Sequence, residues 1–166
     1  MQLHDAFAPI GSRTIHRSRV SIGSMDERAL ILVVDDEAAS REPLEILLQG
    51  EGYRTATAAN GRSALAFIAR QPPDLILLDV TMPGMDGYEL ASLVKANLTT
   101  ASIPIVMVTG FTGRGARVVG LNAGAEDILS KPVDAPELAL KVRNLLRLRA
   151  NAQSAHAPTA HAPMGN

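Results

Sequence analysis

The chain has 166 residues, 46% hydrophobic, 20% charged and 3% aromatic, with 16 basic and 17 acidic side chains and a formal net charge of -1. That length suits one domain with its own core, and the charge balance gives no bias toward nucleic acid or an anionic membrane. The absence of cysteine excludes a disulfide framework, a thiolate metal site and a cysteine nucleophile, and the longest uncharged apolar runs fall far short of the roughly 18 residues a membrane helix needs.

Residues 1–24 carry Arg13, Arg17 and Arg19 against Asp5 alone, with no apolar period and no secretory-type stretch. Such a segment reads as a disordered tail, although an Arg-rich, acid-poor start also imitates an organellar transit peptide. Met25 directly precedes the ordered pattern and is an alternative translation start to Met1. The tail is placed at residues 1–27 and one folded domain at 28–150. Within it, short solid apolar runs alternate with helical spacing. Strands are expected at 30–34, 53–58 (the weakest), 75–78, 103–108 and 128–129, because Ile- and Val-rich runs without polar alternation suit strands covered on both faces. Helices are expected at 39–50, 61–71, 86–97, 114–123 and 135–150. Gly50 and Gly52 close the first, Asn60 and Gly61 open the second, Pro72 and Pro73 stop it, and Gly124 ends the fourth. Pro43 falls near the start of the first helix, where a missing N–H costs nothing. Five strand-then-helix units make a doubly wound, five-stranded parallel α/β sheet with right-handed crossovers. Residues 151–166 repeat an Ala-His-Ala-Pro pattern and read as a disordered Ala/Pro/His tail or a truncated linker; His156 and His161 as a weak metal pair is the alternative.

In such a sheet, chemistry gathers at the carboxyl ends of the strands. That rule places Asp35, Asp36 and Glu37 after the first strand, Asp79 after the third, Thr109 after the fourth and Lys131 after the fifth. Taken singly, each is an ordinary solvated loop residue. Three converging carboxylates are different, because like charges in one cleft repel and at least one pKa rises unless a cation is present. Mg²⁺ prefers carboxylate, carbonyl and water oxygens and would remove that repulsion. The acidic cluster, a lysine and a hydroxyl together suggest metal-assisted phosphoryl chemistry, with Asp79 as acceptor, Lys131 and Mg²⁺ stabilising the phosphoryl oxygens and Thr109 donating a hydrogen bond. Gly110, Gly113 and Gly115 match neither a dinucleotide fingerprint nor a P-loop and read as a mobile start to the fourth helix.

Four segments together resemble the receiver domains of two-component response regulators over residues 29–150: LVVDDE at 32–37, DLILLDVTMPGMDG at 74–87, VTG at 108–110 and GAEDILSKP at 124–132. The resemblance implies a flavodoxin-like (βα)5 three-layer sandwich. It implies that Asp79 is the phosphoacceptor, taking its phosphoryl group from a sensor histidine kinase or a histidine phosphotransfer protein. Asp36 and Asp79 would hold Mg²⁺ directly with the backbone carbonyl of Thr81, and Asp35 would act through water. Lys131 would pair with the acceptor and then the phosphate, Thr109 would turn inward to it, and the peptide before Pro132 would be cis. Thr81 and Phe111 would flank the path of hydrolytic water and tune phosphoryl lifetime. One departure stands out: the family usually carries Tyr or Phe three residues before the lysine, and here that switch position is Ile128. Ile has neither the aromatic ring nor the hydroxyl for the usual coupling to threonine.

By the same resemblance, the readout is the face formed by the fourth helix, fifth strand and fifth helix, which would bind a downstream protein target. Leu138, Val142 and Leu145 should pack on the sheet. Leu140, Leu146 and Leu148 are left for a partner or homodimer face, with a broad buried stripe as the alternative. Arg143, Arg147 and Arg149 complement the helix dipole, and no nucleic acid or membrane partner is expected. The leading reading is a stand-alone, cytoplasmic receiver that is no enzyme beyond self-phosphotransfer and autodephosphorylation. The alternatives are a truncated receiver of a cyclic-di-GMP enzyme, a phosphorylation-independent pseudo-receiver, and a Mg²⁺-dependent aspartyl-phosphate phosphohydrolase. The last is disfavoured because Thr81 stands where that chemistry needs a general acid.

Overall fold

The computed structural model describes residues 28–111 and 113–155, so the expected tail at 1–27 and the 156–166 part of the expected Ala/Pro/His tail lie outside the described residues. Along the chain run β1 (Leu30–Val34), α1 (Ala38–Gly50), β2 (Arg54–Ala58), α2 (Gly61–Arg70), β3 (Leu75–Asp79), α3 (Gly87–Ala96), β4 (Ile105–Thr109), α4 (Arg114–Asn122), β5 (Asp127–Ser130) and α5 (Ala135–Ala155). The strands form one sheet in the order β2-β1-β3-β4-β5, and every pairing is parallel. This is the doubly wound architecture. The winding direction reverses between β1 and β3, and a crevice opens at their carboxyl ends.

The solid apolar runs behave as expected for strands with both faces covered. Every residue of β1, β3 and β4 is buried. One face, with Leu32, Val34, Ile76, Leu78, Ile105 and Met107, packs on Ala64 and Ile68 of α2 and on Leu90, Ala91 and Val94 of α3. The other, with Ile31, Val33, Leu75, Leu77, Val106, Val108 and Leu129, packs on Leu44 and Leu48 of α1 and Leu138 and Val142 of α5. Each such aliphatic side chain contributes about 1.5–3 kcal/mol by leaving water, so the two layers hold the sheet far more strongly than any surface ion pair does. The edge strand β2 is only half-buried, which is why its pattern is the faintest.

Local chemistry sets the element ends. Asn60 caps α2 by accepting the Ser63 N–H while the Ser63 hydroxyl oxygen accepts the Asn60 N–H, a reciprocal capping box. Asp86 caps α3 through the Glu89 N–H at 2.8 Å. Strand β4 begins at Ile105 and not at 103, because Pro104 has no N–H for a ladder and the preceding residues turn back on Asn97 and Thr100. Pro43 is the sixth residue of α1, inside the helix, so the Ala39 carbonyl receives no N–H from it. Helix α5 continues to Ala155, five residues beyond the boundary expected at 150, because Asn151–Ala155 contains neither Gly nor Pro to stop it. In α5, Leu145 and Leu146 are partly buried against the sheet layer, whereas Leu140 and Leu148 are exposed. Leu146 thus belongs to the core-facing stripe.

Candidate functional site

The carboxyl ends of β1, β3, β4 and β5 surround a cleft of about 680 Å³ lined by Asp35, Asp36, Glu37, Asp79, Thr81, Met82, Pro83, Gly110, Phe111 and Lys131. Asp79 is the last residue of β3, buried to 5% exposure, and Asp35 follows β1 at 2%. Parallel pairing of β1 with β3 brings these two carboxylates side by side. Asp36, the next residue, faces solvent, and carboxylate oxygens of Asp35, Asp36 and Asp79 lie within 4.8 Å of one another. From the far edge, Lys131 follows β5 and reaches across β4: its Nζ lies 3.0 Å from Asp35 Oδ2 and 2.9 Å from Asp79 Oδ1. The peptide joining Lys131 to Pro132 is cis, and the Lys131 N–H donates to the Thr109 carbonyl at 2.8 Å.

Burial raises the Asp79 carboxyl above the ordinary carboxylate range; the negative charges of Asp35 and Asp36 add to the rise, and Lys131 opposes it. Burial pulls the Lys131 ammonium down, but its bonds to Asp79 and Asp35 outweigh that pull and leave it raised. The site is therefore two buried carboxylates bridged by one ammonium, with a third carboxylate at the mouth. The three carboxylates that converge on the open cleft offer hard oxygen ligands, which fit a divalent cation such as Mg²⁺. Chemically, the arrangement offers a nucleophilic carboxylate oxygen beside fixed positive charge, the combination needed to receive an anionic electrophile.

Not every expected residue points into this cleft. Thr109 ends β4 and is buried, but its hydroxyl oxygen accepts the Phe111 N–H at 3.0 Å and the side chain is not among the cleft lining. Phe111 is 64% exposed and lines the cleft, as does Thr81. Ile128 lies outside the cleft in the α2–α3 layer. Its Cδ1 sits against α4, 2.9 Å from where a Cβ on Gly120 would lie, and Met107 Sδ is 3.0 Å from the same point.

One structural requirement gave no signal in the sequence, the absence of a side chain at Gly87. A Cβ on Gly87 would stand 2.3 Å from the Asp79 carbonyl oxygen and 2.8 Å from Val80 Cα. Those neighbours are backbone, so they cannot rotate away, and Gly84 (φ +78°) makes the turn that brings α3 this close. Gly87→Ala is expected to destabilise the domain by about 2–4 kcal/mol, since the strand end carrying Asp79 must move. Urea unfolding measures it; a loss under about 0.5 kcal/mol, the scale of a neutral surface change, would contradict the tight packing.

Residues 31–143 match the family model of the response regulator receiver domain. The chain belongs to the response regulator receiver family. Response regulator PleD of Caulobacter vibrioides is 49% identical over 121 residues, covering 73% of this chain but 27% of PleD. The DNA-binding response regulator MtrA of Mycobacterium tuberculosis is 42% identical over 120 residues, 72% of this chain and 51% of MtrA. The chain thus spans between about a quarter and a half of these relatives. A response regulator structure from Chloroflexus aurantiacus J-10-fl superposes with a TM-score of 0.71 at 39% identity, covering 73% of this chain and 99% of that one. Receiver domains are signalling domains, and the cleft here lies at the carboxyl ends of the parallel strands, beside the point where the winding reverses. No helix among the described residues is long and apolar enough to cross a membrane.

Proposed function

We propose that this receiver accepts a phosphoryl group on Asp79 from a phosphohistidine of a sensor kinase or phosphotransfer protein, and that the modified cleft controls binding of a protein target. The observation that supports it is the Asp79 carboxylate, buried, 2.9 Å from the Lys131 ammonium and open to a lined cleft. An Asp79 oxygen attacks phosphorus, the O–P bond forms as the P–N bond breaks, and the electron pair leaves on the imidazole nitrogen. Lys131 offsets charge on the phosphoryl oxygens. Asp36, Asp79 and the Thr81 carbonyl would hold Mg²⁺, with Asp35 contributing through water, and the ion would supply further charge neutralisation. Thr109 would leave the Phe111 N–H and donate its hydroxyl to the new phosphate.

The exposed Val118, Val119 and Leu121 of α4 and Leu140 of α5 support a protein-binding output, or a homodimer, on the α4–β5–α5 face. Of the three late arginines, Arg149 is committed within the domain, to the Pro73 carbonyl at 2.9 Å and to Asp74 at 3.5 Å, which favours a protein over a nucleic-acid partner. Function as the receiver part of a larger regulator is the second reading, favoured by the 27% coverage of PleD. Phosphohydrolase turnover is disfavoured because Thr81 offers a hydroxyl and no carboxyl at the rim.

The test is incubation with acetyl phosphate, with Mg²⁺ or with excess chelator, followed by intact mass. One phosphoryl increment that needs Mg²⁺ is expected; none in folded protein with Mg²⁺ would refute the reading. Thr81→Ala widens the rim without touching the acceptor, so the aspartyl phosphate should decay at a rate changed about two- to fivefold, on the order of 1 kcal/mol or less in barrier, while phosphorylation persists. An unchanged decay rate in Mg²⁺ buffer would argue against rim control of hydrolysis.

A further inference from the structure

The β1–α1 turn carries two of the three cleft carboxylates, yet they are held in different ways. Asp35 is pinned on both oxygens: Oδ1 accepts the Glu37 N–H at 2.9 Å and Oδ2 accepts Lys131 Nζ. Asp36 is exposed, and among the described residues its carboxylate has no hydrogen-bond or ion-pair partner. Its position near Asp79 is therefore set by backbone alone.

The Asp35 carboxylate ties the Glu37 N–H across Asp36, and the Asp35 N–H donates to the Ala58 carbonyl at 3.2 Å, but neither bond engages the carbonyl of the Asp35–Asp36 peptide. Glu37 is the N-cap of α1 but makes no side-chain cap, its carboxylate accepting instead from the Ser40 hydroxyl at 3.3 Å. Pro43 removes a further hydrogen bond from the same stretch of helix. What holds the Asp35 carbonyl is Arg41. From the fourth residue of α1 its Nη1 donates to the backbone carbonyl of Asp35 at 2.5 Å, half-buried beneath the turn. That carbonyl belongs to the peptide linking Asp35 to Asp36. A rotation of the peptide would swing the Asp36 Cα–Cβ bond away from Asp79, and the guanidinium opposes that rotation.

We propose that Arg41 is a positioning residue of the divalent-cation site, acting through the Asp35–Asp36 peptide to keep the Asp36 carboxylate within reach of Asp79. The inference rests on the cation-binding reading above. It has a sign that simple electrostatics does not share. A guanidinium near the cleft repels Mg²⁺, so its removal on charge grounds alone would tighten binding. Loss of a group that orients a ligand weakens it, commonly by about tenfold or more.

The experiment is a Mg²⁺ titration of the full chain by calorimetry or by amide chemical shifts, on wild type, Arg41→Ala and Arg41→Met. The methionine variant keeps an apolar stem against the turn, so it retains the fold if truncation to alanine does not. Both variants are expected to bind Mg²⁺ about tenfold more weakly. In acetyl phosphate reactions the half-saturating Mg²⁺ concentration should rise by the same factor while the rate at saturating Mg²⁺ stays near that of wild type. Equal or tighter Mg²⁺ binding by Arg41→Met, with wild type binding normally, would overturn the role of Arg41 alone. Wild-type protein that does not bind Mg²⁺ would overturn the cation site itself.

Discussion

Asp79→Asn is expected to abolish the phosphoryl mass increment completely and, in the absence of Mg²⁺, to make the domain more stable than wild type at neutral pH. The first effect follows from losing the nucleophilic carboxylate. The second follows from its environment: burial, joined by the charges of Asp35 and Asp36, raises the Asp79 carboxyl despite Lys131. The folded protein keeps this proton to a higher pH than the unfolded chain does. Stability therefore falls as pH rises from the ordinary carboxylate range through the raised folded value, and above that window the ionised group is a standing cost. A neutral amide of the same shape removes the cost. Relief of about 1 kcal/mol would raise the thermal midpoint by roughly 3–5 °C in a domain of this size. The gain should shrink as pH is lowered through the window, and Mg²⁺ should stabilise wild type more than the variant. A variant less stable than wild type without Mg²⁺ at neutral pH would contradict this balance of charges.

Lys131→Met should produce the other large effect, in the opposite direction. The substitution keeps an apolar stem but removes the ammonium that touches both buried carboxylates at about 3 Å. Asp35 and Asp79 are then left as like charges in a dry crevice. Loss of one partner from a fully buried pair costs about 3–5 kcal/mol; Lys131 is about one-third exposed, so a loss of about 1–3 kcal/mol is expected here. Adding Asp79→Asn to Lys131→Met should recover much of that loss, because only one buried carboxylate remains. Chemical denaturation of the four proteins gives the coupling directly. Additive effects within about 0.5 kcal/mol would mean that Lys131 and Asp79 do not share the interaction seen in the structure. Phosphorylation of the single variant should be slowed or lost even at saturating Mg²⁺, which separates Lys131 from Arg41.

How far the sequence was legible depended on which interactions are periodic. The runs LILVV, LILLD and IVMVT announce covered parallel strands, and their ends locate Asp35, Asp36, Asp79 and Thr109, while the shorter Ile128-Leu129 run locates Lys131. Arg41 gave no such signal: its bond goes to a backbone carbonyl, and any helix-surface arginine looks the same in sequence. The Thr109 hydroxyl could be placed at a strand end but not aimed, since a local bond to the Phe111 N–H decides its rotamer. Ile128 shows a related limit. Its aliphatic side chain identified it as a departure from the family's aromatic position, but its packing over Gly120 depends on how α4 rests on the sheet. The stretch of α5 from Asn151 to Ala155 was missed because no periodic apolar residue marks it, although its alanines favour helix and neither Gly nor Pro interrupts it.

The central claim is the identity of the acceptor, and borohydride reduction of the phosphorylated wild-type protein tests it most directly. Reduction converts an aspartyl phosphate to homoserine, so peptide mass mapping should find that single change at position 79 and nowhere else. Homoserine at another aspartate, or none in protein that has gained phosphoryl mass, would contradict the account.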